Sequence, residues 1–598
     1  MDIMLVNSIE NLWYEAKPSA SVGLLLMRGI LKERYDVEYV DFGLIEEFKN
    51  IRHTKSPAES LKTIARYITD KAPKVVGFYT ICHTFFSAVM VAKYVKELNG
   101  GIKIVFGGPH ATLTAAECVS SLDFLDAVCL GEAELSVAPL MDALINGGDM
   151  ASVPGVVYRS QGEVKSTPPK ELIAAEDLGK YTVFDYSPYK ISKNDAITLE
   201  GGRGCPFGCT FCSTNSFWGR RFRVKPIDVL LDEMDKFNEI YGVTHFNVLH
   251  DLFTTNRQYI KEFCRRLIDG GKDYKWGCSS RIDTLDGELI GLLKESKCAG
   301  LFLGIETGSP RMQKILNKNL ELDKALETVK RVHDSRIPYT VSFIYGFPDE
   351  TEADFLDTLK MIEFIFLMGS LRIQLHRYMC FPHTEETEKV KHRLHFGKNE
   401  VHIGIFNEYA VDGECVDMIR EHPDIFTQYY AFDSEVMSRY THIDVLTLAV
   451  FHIAACFKHT MKHLVSKYGL RELYFKYGHL FRELRHNMDR LRAAEKEGYQ
   501  DFDIIYEAVN RMVLDEEQEM RDFGFSQLCR YERLMVLYII NKKTEPEIHE
   551  FDADIGELKK TGVCVPMKYQ VRYSLKNDKV VATRYSPLLK FTGAAALV

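Results

Sequence analysis

The chain has 598 residues and a net charge of −9; 46% of its residues are hydrophobic and 27% charged. That predicts roughly three or four globular domains with ample core, and it excludes a disordered chain. No long basic run is present, so a nucleic-acid partner held through its phosphates is not expected.

Residues 1–150 alternate strands and helices. Ile3 to Asn7, Val37 to Tyr39, Lys74 to Tyr79, Lys103 to Phe106 and Ala127 to Leu130 read as strands, with helical spacing between them. The pattern predicts a doubly wound, Rossmann-like parallel sheet that binds its ligand beyond the carboxyl ends of the strands. Three loops follow those ends: Thr80-Ile81-Cys82-His83-Thr84, Gly107-Gly108-Pro109-His110-Ala111 and Gly131-Glu132-Ala133-Glu134. Paired glycines let a flat or elongated ligand approach the backbone. Residues 151–195 read as a hairpin and a crossing linker.

From Ala196 to about residue 390, strand-like runs recur between helical ones. They lie near Ile197–Glu200, His245–His250, Lys275–Arg281, Leu301–Glu306, Thr340–Tyr345 and Arg372–Met379. Six such units predict a partial (β/α)6 barrel with its chemistry at the carboxyl ends of the strands. After the first strand come Cys205, Cys209 and Cys212, spaced C-x3-C-x2-C, with Gly201, Gly202, Gly204 and Gly208 around them. Three such thiolates can hold three irons of a [4Fe–4S] cluster, which normally takes four Cys, leaving one iron open. A zinc site usually needs four ligands, and no matching second pair is nearby. Later strand ends carry Asp251, Ser280-Arg281, the run Gly304-Ile305-Glu306-Thr307-Gly308-Ser309, and Gly346-Phe347-Pro348.

Residues 391–598 carry no assignable motif and read as a mainly helical domain. Helices are expected over Asp444–Tyr468, Arg471–Glu495, Phe502–Arg521 and Ser526–Asn541, then a hairpin around Lys576-Asn577-Asp578. His452, His459 and His463 share a helical spacing, but no Cys or carboxylate lies in register, so they read as a packing or solvated stripe. The most apolar run, Val445 to Phe457, is too short to cross a bilayer, and the first ten residues lack the basic start of a signal peptide. No membrane partner is expected. Of the fourteen Cys only one set has ligand spacing, which points to a reducing, cytoplasmic setting.

The cysteine loop, the GIETGS and GFPDET runs and the three sheet-end loops resemble the cobalamin-dependent radical SAM enzymes over roughly residues 1–390. The resemblance implies a [4Fe–4S] cluster on Cys205, Cys209 and Cys212, S-adenosylmethionine on its open iron, and cobalamin on the N-terminal sheet. It implies S-adenosylmethionine contacts from Phe211, Arg281, Glu306 and Gly346. Cobalamin contacts are implied for Thr80, His83, Gly107, Gly108, Pro109, His110, Gly131 and Glu132. Cobalamin domains of the methionine synthase type place a cobalt-ligating His in a D-x-H-x-x-G run after the first strand. Here that loop reads SIENLWYEAKPSASVG and holds no His. His83 is the nearest alternative, though a lone His there is more often a polar lining group. The implied activity is methyl transfer to a carbon of a small-molecule or peptide substrate, fed by a flavodoxin- or ferredoxin-type reductant. The alternative is cyclisation or rearrangement without net methylation; a sensor without turnover is a third reading. Substrate should meet His376 and Tyr378 as catalytic groups, with Arg377 and Trp218 beside them, under a lid formed by residues 391–598.

Overall fold

Four apolar residues, Ile3–Val6, make β1, and all four are buried. β2 (Val37–Val40), β3 (Val75–Tyr79), β4 (Lys103–Gly107) and β5 (Ala127–Cys129) join it in parallel. Such β-branched runs suit a sheet covered on both faces. The helices between them carry their own start signals. Ser21 caps Val22–Leu31 by accepting from the Leu24 amide. Ser56 and Glu59 form a capping box at Pro57–Asp70, with Pro57 in the first turn.

The computed structural model describes residues 1–7, 20–48, 51, 56–169, 171–370, 372–396, 400–402, 408–410, 413–444, 447, 450, 451, 454, 457–493, 531, 532, 547–553, 559, 566–576 and 579–584. These fall into two compact units: Met1–Thr351 with His376–Ser438, and Glu352–Leu375 with Arg439–Val598.

Two boundaries expected from sequence move. The hairpin after residue 150 exists, as β6 (Val156–Ser160) and β7 (Glu163–Ser166), but it is not linker. It pairs antiparallel with β5, giving one sheet of order β2-β1-β3-β4-β5-β6-β7. The second change is at residue 391. The helix Gly413–Glu421 and the turn after it belong to the sheet domain, not to a separate C-terminal one. Cys415, Val416, Ile419, Ile425 and Phe426 share one core with Leu61, Ile64, Phe85 and Val89.

The barrel is built from β8 (Ala196–Glu200), β11 (His245–Leu249), β12 (Lys275–Arg281), β13 (Cys298–Glu306), β14 (Tyr339–Tyr345) and β15 (Ile373–Arg377). The sheet order is β15-β14-β13-β12-β11-β8. Alternation sorts the faces: Phe246 and Val248 of β11 are buried, while Leu249 is 52% exposed and Phe302 of β13 is 40% exposed. Between β8 and β11, β9 (Gly202–Arg203) and β10 (Arg223–Val224) pair antiparallel and pinch the neck of the cysteine loop.

In the second unit, the helix Lys458–Ala493 kinks at Gly469, where Glu363 accepts from the Leu470 amide at 2.6 Å. Strands Glu547–Ala553, Pro566–Lys576 and Lys579–Arg584 form an antiparallel sheet in which Lys576 pairs with Lys579; Asn577 and Asp578, where a turn is expected, lie outside the described residues. The helix expected over Phe502–Arg521, His452, and all of Ser526–Asn541 but Tyr531 and Glu532 lie outside the described residues.

Candidate cofactor site

The cysteine loop leaves β9 through Gly204, whose φ is +87° and whose Cβ, if present, would collide with the Arg221 carbonyl. Only glycine fits there. The Gly204 amide donates to Asp251 at 2.9 Å, so Asp251, at the end of β11, fixes the loop's entry. Its exit is the short helix Ser213–Trp218, which starts directly after Cys212. Asn215 donates to the Cys209 carbonyl and Asn317 to the Gly208 carbonyl, at 3.0 and 2.8 Å. Cys205, Cys209 and Cys212 are all free and half-buried. Burial pushes the Cys205 thiol up to about 11. Burial also raises Cys209, against the pull of Lys318 and Arg281.

Among the described residues no three His, Cys, Asp or Glu side chains gather closely enough to hold a single metal ion. Three thiols on one loop can hold three irons of a [4Fe–4S] cluster, whereas a structural zinc site takes four ligands. The donor set and the glycine-wrapped loop fit a [4Fe–4S] group.

The barrel ends close around this loop. The Arg281 guanidinium lies 4.1 Å from the centre of the Phe207 ring, between Cys205 and Cys209 in sequence. Arg281 also donates to Asp283 at 2.8 Å and to the Lys318 carbonyl. Glu306, at φ +69°, accepts from Lys318 at 2.7 Å. A Cβ on Gly304 would strike that carboxylate, so the glycine makes room for the pair. Phe211 turns into an apolar cluster with Phe347, Met312 and Leu316, its ring 5.6 Å from that of Phe347. Gly346, at φ +83°, donates to Glu350 at 2.5 Å and lies under Met437.

A cavity runs along the ends of β3, β4 and β5. Gly107, Gly108, Pro109, Gly131 and Glu132 line it from the sheet domain; Glu200, Arg203, Phe217, Trp218 and Leu249 line it from the barrel. Leu24, Leu26, Val137, Leu140 and Met141 give it an apolar wall. A Cβ on Gly107 would meet nothing closer than 3.9 Å, and one on Gly131 nothing within 4 Å, so both backbones face open space. This suits a large, mostly apolar ligand. Gly108 is different. Its φ is +98°, and a Cβ would sit 2.5 Å from the Thr80 carbonyl oxygen, so its glycine serves the turn itself.

Glu132 and Glu134 also tie the two domains together. Arg203 donates to Glu132, Glu134 and Glu200 at 2.6 to 2.8 Å, and Arg223 reaches Glu132 at 2.8 Å. Burial works against the charged form of Arg203, but Glu200 and then Glu134 and Glu132 overcome it, leaving its pKa above the ordinary value. Breaking such a buried pair costs about 3–5 kcal/mol.

Several expected site residues serve other ends. Tyr378 is buried against Phe347, and its hydroxyl is 3.1 Å from that of Thr387, so it supports the helix Glu385–Val390 rather than facing the barrel interior. His110 is buried on Phe85 with Nε2 2.9 Å from the Ile425 carbonyl, and burial lowers it to about 4. Thr80 donates to the Gly107 carbonyl at 2.9 Å and accepts from the Ala111 amide at 3.1 Å, joining two loops. None of these three lines the cavity. His83, its pKa lowered by burial, lies with Nδ1 3.8 Å from Cys82 Sγ and is not part of the lining either. Residues 8–19 of the first loop lie outside the described residues. His376 and Arg377 are half-buried at the end of β15, with Arg377 Nε 3.1 Å from Met437 Sδ. Lys318, Asn317 and Glu386, which all brace the cluster loop or its neighbours, carry no local sequence signal beyond the polar run Asn317-Lys318-Asn319.

Gly107→Leu should leave stability within about 1 kcal/mol, since its Cβ meets open space. It should lower corrinoid affinity by about tenfold or more, about 1.4 kcal/mol. Spectroscopic titration of the folded variant with cobalamin measures this; native affinity would place the corrinoid elsewhere.

Residues 199–362 match the Radical SAM superfamily and residues 18–140 match the B12 binding domain. An uncharacterized methyltransferase of Pyrococcus horikoshii is 30% identical over 342 residues, which span 57% of this chain and 72% of the relative. The anaerobic magnesium-protoporphyrin IX monomethyl ester cyclase of Rubrivivax gelatinosus is 28% identical over 49% of this chain and 55% of its own length. The radical S-adenosylmethionine methyltransferase TsrM from Kitasatospora setae, solved with cobalamin and a [4Fe–4S] cluster, superposes with a TM-score of 0.52 at 16% identity, covering 66% of this chain and 75% of that one. That likeness is one of fold. No helix among the described residues is long and apolar enough to cross a membrane.

Proposed function

The chain belongs to the radical SAM superfamily, with a B12 binding domain ahead of the radical SAM domain, and from that premise we propose that it is a cobalamin-dependent methyltransferase. One observation carries the proposal: a single cavity is lined by the glycine loops of the sheet domain and by Glu200, Arg203, Trp218 and Leu249 beside the cysteine loop. Cys205, Cys209 and Cys212 would hold the cluster. Arg281, Glu306 and the backbone around Gly346 would meet S-adenosylmethionine, and Gly107, Gly108, Pro109, Gly131 and Glu132 would border cobalamin. When bound, these groups supply reductive cleavage of S-adenosylmethionine and a carrier for the methyl group.

The chain's own residues position and shield. Gly204, held by Asp251, and Gly208, held by Asn317, fix the loop's path. Leu249 adds an apolar side chain to the cavity lining beside Glu200 and Arg203, where stray hydrogen donors would divert a radical. Arg203 and Glu132 hold the two halves of the cavity in register. The substrate is a small molecule or peptide meeting His376, Arg377 and Trp218. The electron comes from a flavodoxin- or ferredoxin-type donor, in a cytoplasmic setting that keeps the thiols reduced.

The test is product mass. Anaerobically reconstituted protein with cobalamin, reductant and S-adenosylmethionine should add one methylene to its substrate. The relatives named as cyclases favour a second outcome, ring formation, which would show loss of hydrogen with no added methylene.

A further inference from the structure

Glu386 lies 176 residues beyond Thr210 in sequence, yet it is bonded to the middle of the cysteine loop. The Thr210 hydroxyl donates to Glu386 Oε1 at 2.7 Å, and the Glu386 amide donates to the Thr210 carbonyl at 3.3 Å. Thr210 follows Cys209 directly and stands two residues before Cys212. Its own amide is taken by the Leu316 carbonyl at 3.1 Å, so the peptide is fixed from two sides.

The Glu386 side chain is 0% exposed. Oε1 also accepts from Lys389 at 2.8 Å, while Oε2 is buried without a hydrogen-bond partner. A glutamine would accept the Thr210 hydroxyl equally well and would avoid burying a charge. The hydrogen bonds alone therefore do not account for a carboxylate. Lys389 compensates it only in part, being 40% exposed and shared with Asp349 at 2.9 Å. Within this triad the carboxylates of Glu386 and Asp349 face the single positive charge of Lys389.

We propose that Glu386 is a positioning residue that also lowers the reduction potential of the cluster carried by Cys205, Cys209 and Cys212. This rests on the cluster reading above. Net charge and solvent exposure around a cluster are main determinants of its potential. A buried carboxylate opposes arrival of the single electron delivered by the external donor, because low dielectric leaves its field poorly screened. The cluster then rests oxidised, and S-adenosylmethionine is spared cleavage until a strong donor engages.

The experiment compares native protein, Glu386→Gln and Lys389→Met, each reconstituted, by redox titration followed through the electron paramagnetic resonance of the reduced cluster. Glu386→Gln keeps the acceptor for Thr210 and removes the charge. At a fixed poise its ratio of reduced to oxidised cluster should rise severalfold. Lys389→Met leaves the carboxylate less compensated, and the ratio should fall. Opposite shifts support the proposal. Shifts of the same sign, or lower iron content in both variants with no change in the potential of the clusters that assemble, overturn it. Native protein that binds no iron and sulfide after reconstitution overturns both this proposal and the cluster reading.

Discussion

Cys205→Ala, Cys209→Ala and Cys212→Ala will each abolish formation of 5′-deoxyadenosine from S-adenosylmethionine. The three thiols stand on one loop pinned at its neck by the β9–β10 pair and at its entry by Asp251. No other described Cys stands on that loop, so none can replace a lost ligand. Changes to groups that only orient a metal ligand cost about 10–100-fold; loss of a ligand itself must exceed that. Cys264, Cys278 and Cys298 supply the contrast. They are buried in the body of the barrel, where burial holds all three thiols above their ordinary range. Their replacement by Ala should cost packing and leave iron content intact. Deoxyadenosine at the native rate from any one of the three loop variants would remove that residue from the ligand set.

The loop's path was legible because its pattern is local: three cysteines within eight residues, between a strand and a helix, with glycines where the backbone must turn. The sheet domain was legible for a similar reason, since β1, β3 and β4 are short runs bounded by turn residues. What sequence could not show is which post-strand residue faces the ligand and which faces the next loop. Thr80 and Gly108 both follow strands, yet each exists for the other: the threonine bridges to the Gly107 carbonyl, and the glycine clears the threonine's backbone. Tyr378 reads as a strand-end residue, but the turn after Arg377 directs it under the helix Glu385–Val390. Glu386 and Lys318 act on the cysteine loop through contacts more than 100 residues long in sequence, and no periodicity encodes such distances. The antiparallel pairing of β6 on β5 is hidden for the same reason. A hairpin can be read from its turn, whereas the edge it joins is decided by packing.

A large stability effect is expected at Phe426. Phe426→Ala will cost about 3–5 kcal/mol, the usual range for removing a fully buried aromatic. Phe426 is 0% exposed, with ring centres at 5.2 Å from Phe85, 6.3 Å from Phe86 and 5.7 Å from Tyr429. Its neighbours add polar ties: Gln428 and Tyr429 donate to the Cys82 carbonyl at 3.1 and 3.2 Å, and Thr427 donates to the Cys380 carbonyl at 2.7 Å. One short segment thus fastens the loop after β3 and the turn after β15. A chain truncated at residue 391 would therefore expose the core around Phe85 and Val89 and fail to fold, instead of leaving a sound enzyme without a lid. Chemical denaturation of Phe426→Ala measures the effect, with Ile240→Ala as control. Ile240 is 56% exposed, and truncating it should change stability by no more than about 0.5 kcal/mol. A cost below about 1 kcal/mol at Phe426 would mean that residues 413–430 rest on the sheet domain without being part of its core.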